Sequence, residues 1–175
     1  MPYAWRLLEA LKQRKIETFL IMTHPAEEIL HHELDKKPEE LWSLATEHYD
    51  IDDLTSPFAS GSQRFDAMVI VPCSMASVAA IASGVSRNLL LRTADICLKE
   101  GRPLIIVPRE TPFSTVHLSN LLRLSRLGVA VIPASPAFYH KPTKVEDLVD
   151  FIVGRVFLRL GLNQDLFEPW KGGVA

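Results

Sequence analysis

The sequence predicts an α/β fold: a doubly wound parallel sheet in three layers. Short apolar runs alternate with helix-length amphipathic segments, the order that builds parallel strands joined by crossover helices. The runs Ala67–Val71, Leu104–Val107 and Val129–Ile132 carry no polar alternation and each is followed closely by a proline. Strands covered by helices on both faces read this way. With 175 residues, 47% of them hydrophobic, the chain suits one domain with a substantial core. Residues 1–162 are assigned to that domain. Residues 163–175 form a tail expected to be poorly ordered unless it docks.

Taken in order, Tyr3–Arg14 reads as an amphipathic helix with Trp5, Leu8 and Leu11 on its apolar face. Ile16–Met22 reads as a strand. Pro25–Leu34 reads as a helix with proline in its first turn, and Pro38–Glu47 as another. Thr55–Phe65, rich in Ser, Gly and Pro, is a loop. Ala67–Val71 is a strand stopped by Pro72. Met75–Ser83 and Asn88–Lys99 are helices separated by Gly84. Leu104–Val107 is a strand, and Ser114–Leu127 a helix capped by Gly128. Val129–Ile132 is a strand, Pro133–Pro142 a proline-rich loop, and Val145–Leu160 a long helix. The chain opens in a helix, whereas a doubly wound domain ordinarily opens with a strand and a phosphate-binding turn. That piece is expected upstream of Met1.

Composition narrows the partners. A net charge of −2 offers no footprint for nucleic acid or an anionic membrane surface. No apolar run approaches the ~20 residues of a membrane span, and no secretory signal is visible. Two cysteines make no disulfide framework, which fits a reducing, cytoplasmic setting.

In an open α/β sheet, ligands bind outside the carboxyl ends of the strands. Thr23 and His24 follow the first strand. Cys73, Ser74 and Ser77 follow the next, Arg109 and Glu110 the third, and Ser135, Tyr139 and His140 the last. An Arg at such an edge forks onto phosphate, and a Glu beside it moves a proton. Ser74 also opens a helix, whose free N–H groups favour an anion. The set suits a phosphorylated ligand. Each residue alone has an ordinary reading too, Ser74 as an N-cap and Thr111 as a turn residue. Cys73 before a helix is a nucleophile candidate, but no His partner is identifiable and a buried, inert Cys is commoner. Glu27, Glu28, His31, His32 and Glu33 include i,i+4 pairs able to hold a metal. No fourth ligand is evident, so a solvated face and no metal are expected.

Several segments together resemble the flavin prenyltransferases of the flavin-dependent cysteine-decarboxylase-like superfamily. They are Met68-Val-Ile-Val-Pro-Cys-Ser74, Asn88-Leu-Leu-Leu-Arg-Thr-Ala-Asp95, Leu98-Lys-Glu100, Arg102-Pro103, Pro108-Arg-Glu-Thr-Pro112, His117-Leu118, Pro136-Ala-Phe-Tyr139 and Val145-Glu-Asp-Leu148. The resemblance implies a Rossmann-like (flavodoxin-like) fold and FMN as cofactor. It implies transfer of a dimethylallyl group from dimethylallyl monophosphate to reduced FMN, at nitrogen-5 and then carbon-6, without metal. The product, prenylated FMN, would serve a partner decarboxylase. The assembly would be a homo-oligomer, a dodecamer built from trimers. By the same resemblance, Thr23, Ser74, Met75, Ala76, Ser77, Arg92 and Arg109 hold the flavin. Lys99, Arg109, Glu110, Tyr139 and Arg155 form the prenyl-phosphate pocket, partly supplied by neighbouring subunits. Glu33 matches a glutamate near the flavin, and Glu33 and Glu110 are the catalytic candidates. Members open with a strand and a Gly-Ala-Ser-Gly turn that this sequence does not contain, so a chain starting at Met1 is expected to bind flavin weakly and turn over poorly. Two rivals remain: an FMN-dependent decarboxylase of a cysteinyl substrate, for which His24 and Ser74–Ser77 match poorly, and a non-catalytic flavin-binding subunit.

Overall fold

The computed structural model describes residues 1–172. Five parallel strands form two sheets. In one, β1 (Phe19–Ile21) pairs with β2 (Glu47–Tyr49); in the other, β3 (Met68–Cys73), β4 (Leu104–Pro108) and β5 (Ala130–Val131) lie in that order. The helices are α1 (Pro2–Gln13), α2 (His24–Leu34), α3 (Pro38–Trp42), α4 (Met75–Ala82), α5 (Leu89–Glu100), α6 (Thr115–Arg126) and α7 (Val145–Arg159).

β4 explains the layering. All five of its residues are buried. Alternation along a strand sends successive side chains to opposite faces. Leu104 and Ile106 join the cluster beneath α4, α5 and α6, whereas Ile105 and Val107 join that of α1 and α7. A third cluster holds Met1, Ala4, Leu8, Met22, Leu30 and Leu41, between α1, α2 and α3. A strand apolar at every position therefore reports helices on both sides, as the sequence implied.

Three helices start on side-chain caps. Ser74 accepts from the Ser77 N–H at 3.1 Å, Asn88 from the Leu91 N–H at 3.0 Å and Ser114 from the His117 N–H at 3.2 Å. The cap residue ending α6 is Leu127, and Gly128, at φ +87°, is the residue just beyond it.

The structure departs from the sequence reading between Trp42 and Tyr49 and at the end of β3. The helix expected to reach Glu47 stops at Trp42, and Glu47–Tyr49 is β2. This edge strand is short and largely exposed, so it lacks the apolar signature of a covered strand. Thr46 draws the chain in, donating its N–H to the Thr18 carbonyl at 2.9 Å. β3 does not stop at Pro72 but continues to Cys73, with its pairing to β4 interrupted between Ile70 and Cys73. A proline without an N–H is tolerated at such an interruption.

The tail, as far as it is described, docks. The Gln164 Oε1 accepts the N–H groups of Leu166 and Phe167 at 3.1 and 3.2 Å, which turns the Phe167 ring onto α7 beside Phe151. Arg14 pairs with Asp165 and lies 4.5 Å from the Phe157 ring centroid. The Phe167 ring fills the space over Gly154, where an added Cβ would lie 2.6 Å from it. Gly154→Ala gains about 1 kcal/mol of helix propensity but overpacks a filled notch, at roughly 1–3 kcal/mol. The expected outcome is a lower Tm together with faster proteolysis within residues 163–170, checked by thermal denaturation and limited digestion.

Candidate active site

A cavity of 1110 Å³ lies between the two sheets. Thr23 at the carboxyl end of β1, the turn Ser74–Ser77 after β3, and Arg109 and Glu110 after β4 all line it, together with Met1. Thr23, Ser74, Met75, Ala76, Ser77, Arg109 and Glu110 thus share one site.

Each is placed by local structure. Ser74 is the N-cap of α4, and its hydroxyl lies 3.0 Å from that of Ser77. The remaining free N–H groups of the first turn of α4 form an anion-favouring end. Arg109 and Glu110 are exposed because β4 ends at Pro108. The Arg109 Nη2 lies 3.6 Å from the Glu33 Oε1, and the other Glu33 oxygen holds the Met1 ammonium. Glu33 sits on α2, so this carboxylate ties α2 to the loop after β4. The Glu110 carboxylate accepts the Thr111 N–H at 3.0 Å. Burial pushes the Tyr3 phenol up and the Met1 amine down, the latter opposed by Glu33. Sequence reasoning missed Met1 and Tyr3 beside this cluster. Their hydrophobic side chains read as ordinary helix positions, and only the placement of α1 brings them here.

Four expected site residues lie elsewhere in the single chain. Arg92 donates to the Ala59 carbonyl at 3.1 Å and pairs with Asp95 at 3.0 Å. Lys99 pairs with Glu100. Arg155 is exposed on α7. Tyr139 packs edge-on to Phe151, with ring centroids 5.8 Å apart, and to Trp170, at 5.6 Å. None of the four lines the cavity.

The nucleophile and metal readings fare differently. Cys73 is only 1% exposed, and burial pushes its thiol up to about 12. Cys97 is likewise pushed up to about 11 by burial. A protonated thiol is a poor nucleophile. Because the folded values exceed the ordinary 9.0, both thiols favour folding below that value, and the contribution fades as pH rises toward 11 and 12. The native protein is expected to resist iodoacetamide at about pH 8.5, near the ordinary thiol value, and to react at both cysteines once unfolded in urea, as mass spectrometry of the alkylated chain will show. On α2, His31 lies 3.7 Å from Asp35. Among the described residues, no three His, Cys, Asp or Glu side chains come together as a metal site.

The Flavoprotein family model matches residues 1–157. The flavin prenyltransferase UbiX of Methanocaldococcus jannaschii is 53% identical over 168 residues, covering 96% of this chain and 91% of that protein. The crystal structure of AnUbiX (PadA1) in complex with FMN and dimethylallyl pyrophosphate superposes with a TM-score of 0.96 at 42% identity, over 98% of this chain and 92% of that one. A dodecameric FMN-dependent UbiX-like decarboxylase from Escherichia coli O157:H7 gives 0.95 at 41% identity, over 98% and 93%.

Proposed function

The chain belongs to the Flavoprotein family, among its flavin prenyltransferases, and from that membership we propose that it joins a dimethylallyl group from dimethylallyl monophosphate to reduced FMN. The observation that carries this reading is the convergence of Thr23, Ser74–Ser77, Arg109 and Glu110 on one cavity mouth. The residues fit a flavin nucleotide. Hydroxyls and a helix N-terminus offer donors to its phosphate, and the apolar cavity walls suit a flat ring. When bound, reduced FMN supplies the nucleophile, nitrogen-5 and then carbon-6, and an electron-rich surface beside the allyl cation.

The chain's own groups do the rest. Ionising an allylic phosphate develops negative charge on the leaving group, and fixed cationic and hydroxyl donors stabilise it. Arg109 is the donor within the chain. Lys99, Tyr139 and Arg155 complete the pocket from neighbouring subunits; the dodecameric assembly of the Escherichia coli relative and the absence of these three from this chain's own cavity support that arrangement. Arg92, tied to Ala59 and Asp95, reaches a flavin only across such an interface. Glu33 orients Arg109. Glu110 takes the proton lost on ring closure, with the released phosphate as its rival. Glu110→Gln is expected to lower kcat about 10²-fold, the lower end of what a positioned acid or base contributes, with a smaller change in KM for the donor. Unchanged kcat would hand the proton to phosphate.

The product is passed to a prenylated-FMN-dependent decarboxylase in the cytoplasm. Two free, buried cysteines are compatible with that compartment, and no helix among the described residues is long and apolar enough to cross a membrane. Mass spectrometry of flavin after incubation with reduced FMN and dimethylallyl monophosphate tests the reaction. A gain of one dimethylallyl unit is the expected result. Unchanged flavin with carbon dioxide released from a cysteinyl substrate would make the chain a decarboxylase, and unchanged flavin with no turnover a carrier.

A further inference from the structure

Gly61 is held against the end of α5. An added Cβ there would lie 2.6 Å from the Glu100 Oε1 and 2.9 Å from the Lys99 Nζ, both too close for a carbon atom. Its φ lies outside the left-handed region, so the backbone does not require glycine. What requires it is the Lys99–Glu100 ion pair, which stands where a side chain would be.

The loop carrying Gly61 is fastened along one face of α5. Arg92 and Lys99 share that face, with Asp95 between them. The Arg92 Nε donates to the Ala59 carbonyl at 3.1 Å, and the buried Thr93 hydroxyl donates to the Phe58 carbonyl at 3.2 Å. Arg102, just past the helix, donates to the Gly61 and Gln63 carbonyls, both at 2.6 Å. Its guanidinium carbon lies 4.5 Å from the Phe65 ring centroid. The loop is thus a fixed surface, locked by hydrogen bonds and packing. Lys99, by contrast, is 46% exposed on a flexible stem. Its ammonium stays in one place only if something supports it.

We propose that the loop from Ala59 to Gln63 aims Lys99. Building on the placement of Lys99 in a neighbouring subunit's prenyl-phosphate pocket, Gly61 and Arg102 are positioning residues for its ammonium. Arg102 fixes the Gly61 carbonyl, the bare Cα of Gly61 leaves a seat for the ammonium, and Glu100 holds it from the helix end. A phosphate arriving across the interface then meets a donor already ordered, and less entropy is lost on binding. A methyl group at position 61 pushes the pair aside. Arg64, Phe65, Asp66, Glu100 and Arg102 line a 450 Å³ notch beside it, so the pair has room to move and the fold has little to lose.

Donor binding tests this apart from turnover. Dimethylallyl monophosphate is titrated by calorimetry into the assembled protein loaded with oxidised FMN, which lacks the nucleophile of the reduced form. Gly61→Ala is expected to weaken binding about tenfold, the lower end of the loss of one hydrogen bond to a charged group. Its Tm is expected to stay within about 2 °C of wild type. Lys99→Ala is expected to weaken binding at least as much. In the Lys99→Ala background, Gly61→Ala is expected to change affinity less than about twofold, because both act through one group. A loss that adds to that of Lys99→Ala, or no loss from Gly61→Ala, overturns the proposal while leaving Lys99 in the pocket. Unchanged affinity in Lys99→Ala removes Lys99 from the pocket and overturns the proposal with it. Should Gly61→Ala fail to assemble, Arg102→Lys, unable to fork onto both carbonyls, must show the same coupling to Lys99, and an additive loss overturns the proposal equally.

Discussion

Arg109→Ala is expected to lower kcat/KM for prenyl transfer by about 10²- to 10³-fold, the loss seen when one fixed donor to developing negative charge is removed. The side chain is 55% exposed and, among the described residues, its ionic partner is Glu33, at 3.6 Å. Its charge is therefore available to a ligand rather than consumed in the fold. Stability should barely change, since an exposed pair contributes little. Arg109→Lys keeps the charge but not the fork that matches a phosphate, and should recover only part of the activity. FMN titration and initial rates with dimethylallyl monophosphate, alongside Tm, separate the contributions. Wild-type rates from Arg109→Ala at unchanged Tm would remove this residue from the site.

Ile106→Ala is expected to cost about 2–5 kcal/mol of stability, the range for truncating a fully buried aliphatic side chain and leaving a cavity. Ile106 has no exposure and sits on the central strand β4, between β3 and β5. It packs in the cluster that includes Ile70, Ala94, Leu124 and Val129, contributed by several elements at once, so the site has little freedom to collapse. For a domain of this size each kcal/mol is worth roughly 2–4 °C, so a fall in Tm of about 10 °C is expected. Urea denaturation with an unchanged m-value would place the loss in stability and not in compactness. A Tm within about 2 °C of wild type, less than 1 kcal/mol on that scale, would mean that β4 is not the centre of the core.

The two substitutions mark what could be read in the chain and what could not. β4 was legible because a run apolar at every position, bounded by Pro103 and Pro108, admits few structures. The strand-end residues followed from it, since parallel topology fixes which end of a strand faces the ligand. β2 was not legible. Glu47-His-Tyr49 is polar and short, and its strand state comes from pairing with β1, a contact distant in sequence. Which of Arg92, Lys99, Tyr139 and Arg155 stand apart from the chain's own cavity was equally hidden, because it depends on where α5, α7 and the loop carrying Tyr139 lie.

The docking of the tail through Phe167 onto Gly154 belongs with these, as does the Glu33 bridge between Arg109 and Met1. Local pattern alone determined the order of the helices and of every strand but β2, the burial of β4 and the residues at its carboxyl end. Those depend on periodicity and on proline and glycine placement, which act between near neighbours in the chain. Tertiary structure alone decided which of the candidates meet. It also set the cavity between the two sheets, because the spacing of separate sheets depends on contacts that no short stretch of sequence contains.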